Sequence, residues 1–361
     1  MSASSDEAIR ALRENGVFHL RGALTEATLD ECRNSATGHF GEVLRALLLN
    51  QVLSMRNGGQ PAPTRFAEVV ERDGGRLDVR HEPSDGTFKP IIASAASSLL
   101  GDVLVALLGE DAEVVATGNV VAMCTNGWVE AGLGDKDDED DEDSMVIMAD
   151  HLGEQAWHAD GPHLFDEVDL PAHALNVFFP LVDLDLQTGP TEFAPGSHVR
   201  GHERVAQTDS GEAGDGGGEA GNETPQKTPQ KTLSILARAG DAIIFDYRTW
   251  HRGLPNSSDH DRQMLYMVVS KPWWTDSRNY RQEKSLLERR AGKADTAATS
   301  ADGGASSASS SAKRKRPQQP PPPLQPPPQP PQPPLQQRVR LRQPPPSQAV
   351  VHVGGAPEPE R

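Results

Sequence analysis

The sequence predicts a mainly β domain, a sandwich or barrel, with helices placed ahead of it. Three observations carry that prediction. Two long helical patterns come first, before residue 110. Beyond it the chain breaks into short β-rich runs separated by Gly, Pro or Asp turns, the spacing of a sandwich or barrel. Only 36% of the 361 residues are hydrophobic, below the ~45–50% of compact domains (a figure that also counts Gly), so part of the chain builds no core.

Taken in order, residues 5–15 read as a helix broken by Gly16, and Val17–Leu20 as a short strand. Thr25 is placed to cap a helix over 26–49, and 92–108 (IASAASSLLGDVLVALL) reads as a second long helix despite Gly101. Strands are expected at Val114–Cys124, Met145–Ala149, Leu175–Leu181, Thr191–Ala194, Leu233–Ala237, Asp241–Asp246 and Met264–Ser270. Four segments are low in complexity: the acidic run 135–143, the polar insert 207–231, the Ala/Ser/Gly-rich 294–312, and 317–346, which holds fifteen of the thirty prolines. The expected organisation is one ordered domain over 1–290, with disordered inserts near 131–144 and 205–231, followed by a disordered basic, Pro-rich tail over 291–361.

The net charge of −17 is uneven: residues 313–361 carry +6, which leaves −23 on residues 1–312. A body so acidic is not expected to bind nucleic acid through its phosphates. Cys32 and Cys124 are too few for a disulfide framework or a thiolate zinc site and suit a reducing compartment. No stretch has the ~20 apolar residues of a membrane helix, and the first thirty residues lack a secretory pattern. The expectation is a soluble cytoplasmic protein. Lys313-Arg314-Lys315-Arg316 has the pattern of a nuclear import signal, and the proline tract that of a ligand for aromatic-lined recognition domains.

The sharpest chemical feature is Trp157-His158-Ala159-Asp160-Gly161-Pro162. In extended chain, side chains two apart share a face, so His158 and Asp160 converge. With a distant second histidine they make the 2-His-1-carboxylate triad of non-heme iron oxygenases, which leaves coordination positions open for a 2-oxo acid and O₂. Alone, His-x-Asp is more often a surface turn. Gly240–Asp246 then feeds an apolar strand that leads to His251, and Arg262 follows eleven residues later at the opening of another strand. A guanidinium there is suited to a carboxylate within a barrel.

In the order WHADGPHLF (157–165), TGPTEFAPGSH (188–198), GDAIIFDYRTWHRGLPN (240–256) and RQMLYMVVSKPWW (262–274), and more weakly in GVFHLRGALTEATLD (16–30), the chain resembles the phytanoyl-CoA dioxygenase-like group of iron(II)/2-oxoglutarate oxygenases over roughly 10–290. The resemblance implies a double-stranded β-helix, a cupin-like jelly-roll barrel, with N-terminal helices. It places His158, Asp160 and His251 on the iron ligands and Arg262 on the 2-oxoglutarate carboxylate. Met264 stands where many relatives carry a small or hydroxyl side chain, so Tyr266, Thr249 or Asn176 is expected to complete the carboxylate site. The implied cofactors are Fe(II), 2-oxoglutarate and O₂, with ascorbate as a reductant. The implied reaction hydroxylates a small or lipid-like substrate with release of succinate and CO₂. The presence of Asp160 argues against a halogenase.

A competing reading is a catalytically silent barrel acting as a scaffold through its acidic loop and Pro-rich tail. His151, His163, His173 and the pair His198/His202 are expected to be structural or surface histidines, Trp157 and Trp250 to brace the ligands, and Trp273 and Trp274 to pack on the N-terminal helices.

Overall fold

A computed structural model describes residues 4–56, 64–72, 75–124, 129–131, 145–147, 153–165, 167–200, 229, 231–276, 279, 284–287 and 338–342. The acidic run 135–143, nearly all of the insert 207–231, the linker 294–312, Lys313–Arg316, and the proline tract except 338–342 lie outside these residues, as do His151 and His202.

Helix α1 (Ser5–Asn15) starts where the Ser4 hydroxyl accepts from the Glu7 amide (3.2 Å) and stops at Gly16, whose φ of 74° only glycine adopts freely. Strand β1 (Val17–Leu20) follows at once. Thr25 Oγ1 accepts from the Thr28 amide (3.2 Å) to open α2 (Glu26–Arg56), which outruns the expected end at 49 because no Gly or Pro stands between 49 and Gly58. The single helix expected over 92–108 is two, α3 (Phe88–Ala96) and α4 (Leu99–Leu108), bent by 78°. Asp85 Oδ1 accepts from the Thr87 and Phe88 amides and starts α3 early. Ser97 and Ser98 turn their hydroxyls back onto the carbonyls of residues 93–95 and end it. Gly101 has no side chain to collide with the Ala95 carbonyl that this turn brings onto it. Among the described residues no single helix is long and apolar enough to cross a membrane.

The main sheet has the order β1-β10-β7-β12-β4-β3-β2, antiparallel throughout. Its strands beyond β1 are β2 (Val69–Arg72), β3 (Arg76–His81), β4 (Glu113–Ala122), β7 (Ala174–Pro180), β10 (Ala242–Asp246) and β12 (Arg262–Ser270). The short strands β5 (Val129–Ala131) and β6 (Met145–Ile147) pair separately. A smaller sheet joins β11 (His251–Gly253), β8 (Thr191–Phe193) and β9 (Leu233–Ser234), and residue 158 extends it through a bridge to His251.

Alternation sorts the core. Leu265, Met267, Val269 and Ile244 face α1, α3 and α4, whereas Met264, Tyr266, Val268, Ile243 and Phe245 face the small sheet with Phe193 and Tyr247. Two facing antiparallel sheets, with the chain crossing from β7 to β8 and from β10 to β11, give the double-stranded β-helix; helices cover its outer face. The β2–β3 hairpin and β11 were not expected from the sequence, and the run 233–237 pairs only over β9 and a bridge at Ala237.

The tail beyond 291 also departs from expectation. Residues 338–342 form β13 (Val339–Arg340), antiparallel to β4, with Leu341 only 2% exposed. Val339 and Leu341, each flanked by Arg, sit in a stretch free of proline, so its backbone N–H groups can pair with a sheet edge.

Candidate metal centre

His158 and His251 face each other across an antiparallel bridge, the amide of each donating to the carbonyl of the other (3.0 and 2.8 Å). Their rings stand 4.5 Å apart. Asp160, two residues on, points to the same side, and one ligand atom from each of the three lies within 4.8 Å of the others. Among the described residues this is the one group of three or more His, Cys, Asp or Glu side chains so placed.

The surroundings fix which atoms face inward. His158 Nδ1 meets the Ala156 carbonyl (2.8 Å) and His251 Nδ1 the Thr249 carbonyl (2.9 Å). A carbonyl only accepts, so each Nδ1 carries the proton and each Nε2 offers a lone pair. Burial pushes the pKa of His251 down to about 4, against the pull of Asp160, so its imidazole is neutral at physiological pH. Asp160 Oδ2 accepts from the Asn176 amide (3.1 Å), while Oδ1 lies 3.9 Å from His251 Nε2. Gly161 is required beside it, because a Cβ there would sit 2.7 Å from the Tyr247 ring. Two neutral imidazoles and a carboxylate, oriented by partners on their far sides, suit a divalent iron ion.

The triad opens into a cavity of about 140 Å³ that Arg262, Met264 and Tyr266 also line. Arg262 is 1% exposed; it donates to the Gly189 carbonyl, and its Nε has no partner among the described residues. Burial, and secondarily the Arg76 guanidinium, push its pKa down to about 9. Of the three side chains expected to join it, two line the cavity, each with a prior engagement. Tyr266 donates its hydroxyl to Asp78 Oδ1 (2.9 Å), and Asn176 holds Asp160. Thr249 is a correction: it is fully buried outside the cavity lining, its hydroxyl donating to the Gly16 carbonyl (3.0 Å). The strand-to-strand turn 246–249 spends that hydroxyl on holding α1 to the sheet.

The motif reading missed Thr191, Asn279 and the Arg72–Asp78 ion pair (2.5 Å), all of which line the cavity. Arg72 and Asp78 belong to the hairpin that gave no clear strand pattern. Asn279 follows the last motif and donates to the Asp160 carbonyl (3.0 Å), the Tyr247 hydroxyl (3.2 Å) and Asp276 (2.9 Å). The remaining histidines and tryptophans sort as follows. His198 binds the Arg13 carbonyl (3.1 Å), and His163 sits 3.6 Å from Asp169. His173 is buried against Trp274, with neither ring nitrogen hydrogen-bonded among the described residues. Trp157 carries the Arg252 guanidinium over its ring. Trp274 packs on Tyr247 rather than on the N-terminal helices, and Trp273 is exposed.

The chain is similar in structure to the non-heme alpha ketoglutarate dependent epimerase SnoN from nogalamycin biosynthesis (16% identity, 74% of this chain and 80% of that one, TM-score 0.42). Comparable likenesses are to AviO1 from Streptomyces viridochromogenes Tue57 (14%, 76% and 99%, 0.43) and the non-heme monooxygenase ThoJ (18%, 79% and 91%, 0.44). The family model for phytanoyl-CoA dioxygenase (PhyH) matches residues 12–264, which include His158, Asp160, His251 and Arg262. The chain belongs to the phytanoyl-CoA dioxygenase family.

Proposed function

We propose that this oxygenase-type enzyme is an iron(II)- and 2-oxoglutarate-dependent dioxygenase that hydroxylates a C–H bond of a small or lipid-like molecule. One observation carries the reading: a convergent His-Asp-His set shares a cavity with a buried guanidinium that has no carboxylate partner among the described residues. His158, Asp160 and His251 would hold the iron, and Arg262 the far carboxylate of the cosubstrate. When bound, these groups supply the oxidation, in which substrate, O₂ and 2-oxoglutarate yield hydroxylated product, succinate and CO₂.

The chain's own residues do the positioning. Asn176 and Asn279 fix Asp160 from its side chain and its backbone, and the backbone carbonyls at Ala156 and Thr249 keep both imidazoles in the tautomer with Nε2 free. Thr191 is the hydroxyl assigned to the cosubstrate carboxylate, in place of Thr249. Phe178, Val120 and Met264 line the cavity and limit the entry of water. Charges support an uncharged substrate: a ferrous ion and a dianionic cosubstrate are balanced by Asp160 and Arg262 together, and Arg72 and Asp78 neutralise each other.

The test is conversion of 2-oxoglutarate to succinate in air by anaerobically reconstituted protein with iron(II) and ascorbate. Turnover that survives His158→Ala would count against the assignment. A chain that neither binds iron nor turns over would leave the scaffold reading, in which the acidic loop and Pro-rich segment recruit partners. We further propose a cytoplasmic protein with nuclear entry through Lys313–Arg316; a tagged chain lacking 313–316 should then lose any nuclear fraction.

A further inference from the structure

Strand β4 is longer than its partner β3: β3 pairs with residues 117–122 and leaves the 113–114 end of that side open. The chain fills this open edge with its own distant segment. Val339 pairs with Val114 and Arg340 with Glu113, and the Leu341 amide donates to the Ala112 carbonyl (2.9 Å). Leu341 enters the helix-facing core, and Arg342 reaches the Ala96 carbonyl (3.0 Å), an unpaired group at the end of α3, and Asp102 (2.6 Å). Arg338 donates to the Pro272 carbonyl (2.8 Å), the Trp274 carbonyl (3.1 Å) and Thr275 Oγ1 (2.8 Å). Backbone pairing with pockets for alternate side chains is how a sheet edge recognises a peptide.

The loop that Arg338 grips, residues 272–275, is tied to the metal site by the side chains that follow. Asp276 accepts from the Tyr247 hydroxyl (2.5 Å), Trp274 packs on the same ring, and Asn279 closes on the Asp160 carbonyl. Residues 271–276, together with Asn279, whose amide donates to Asp276 Oδ1 (2.9 Å), therefore form an arm with its outer end held by Arg338 and its inner end resting on a proposed iron ligand.

We propose that residues 338–342 are an internal peptide ligand of the groove between β4, α3 and the 272–275 loop, and that its docking holds Asn279 as a positioning residue for Asp160. Arg338, which holds the outer end of the arm, and Asn279, at its inner end, both lie beyond the span that the family model matches. The inference rests on the reading of Asp160 as an iron ligand.

The test compares the full chain with a chain ending at residue 337, with and without a synthetic Arg-Val-Arg-Leu-Arg peptide. Removing the strand should raise amide exchange at Trp274 and Asn279 about tenfold and weaken anaerobic iron(II) binding about tenfold. The peptide should restore both, and a version with Asp for Leu should restore neither. Asn279→Ala should weaken iron binding to the same degree without changing peptide affinity. If the truncated chain does not fold, Arg338→Ala with Arg342→Ala in the full chain gives the same comparison. Exchange and iron affinity that do not change on loss of the strand, or changes that the peptide does not reverse, overturn the proposal. A full chain that binds no iron would overturn the metal assignment instead, while the exchange and peptide measurements still decide the latch.

Discussion

Replacing Arg262 by methionine should act in opposite directions on the free protein and on its complex with 2-oxoglutarate. In the free protein the guanidinium is fully buried beside Arg76, and burial pushes its pKa down from the usual guanidinium range to about 9. At 1.36 kcal/mol per pKa unit, holding the charge there costs roughly 4–5 kcal/mol relative to the unfolded chain. Methionine keeps an unbranched stem of similar length and removes that cost, so the free variant should be as stable as the parent or more so. In the complex the same change leaves the distal carboxylate of 2-oxoglutarate buried without a counter-charge, a loss of about 3–5 kcal/mol and so at least about a hundredfold in affinity. Anaerobic thermal unfolding with iron(II), with and without 2-oxoglutarate, reads both effects in one experiment, and calorimetric titration gives the affinity. A variant that is strongly destabilised yet binds 2-oxoglutarate normally would instead make Arg262 a structural cation tied to Gly189.

Three further outcomes follow from the same geometry. Asn176→Ala frees Asp160 Oδ2 and should weaken iron(II) binding about 10–100-fold with little change in unfolding temperature; equal metal affinity would remove Asn176 from the site. Gly161→Ala puts a methyl group 2.7 Å from the Tyr247 ring and should destabilise the fold by about 1–3 kcal/mol while displacing Asp160, both checked by denaturant titration with and without metal. Burial, with Arg248 adding to it, pushes His173 down to about 4. The unfolded chain takes up a proton near pH 6.5 that the folded chain refuses. Stability should therefore fall as pH drops from 6.5 toward 4, by at most about 3 kcal/mol from this residue, and His173→Phe should flatten that part of the profile.

The fold class was readable because the β runs after residue 113 alternate or are apolar throughout, and the motifs around His158 and His251 mark where the chain crosses between sheets. The break between α3 and α4 was not, since an apolar run with one glycine looks like a single buried helix until the two serines find carbonyls behind them. The triad was legible from spacing, because an extended His-x-Asp puts both side chains on one face. Thr249 misled for the opposite reason: two residues before His251 it belongs to a turn, and turns do not keep strand alternation. Asn279 and the strand 338–342 carry no pattern of their own. Their meaning comes from contacts more than a hundred residues distant in sequence, which only the folded chain reveals.

The most direct test of the whole account is the visible charge-transfer absorption that a chelated 2-oxo acid produces on ferrous iron. Titrating 2-oxoglutarate into the anaerobic iron(II)-loaded chain should develop this band to saturation at one equivalent. Asp160→Ala and His251→Ala should abolish it, and Arg262→Met should shift its midpoint to much higher concentration. A band that never appears, or one that persists unchanged in both ligand variants, would mean that His158, Asp160 and His251 do not hold the iron.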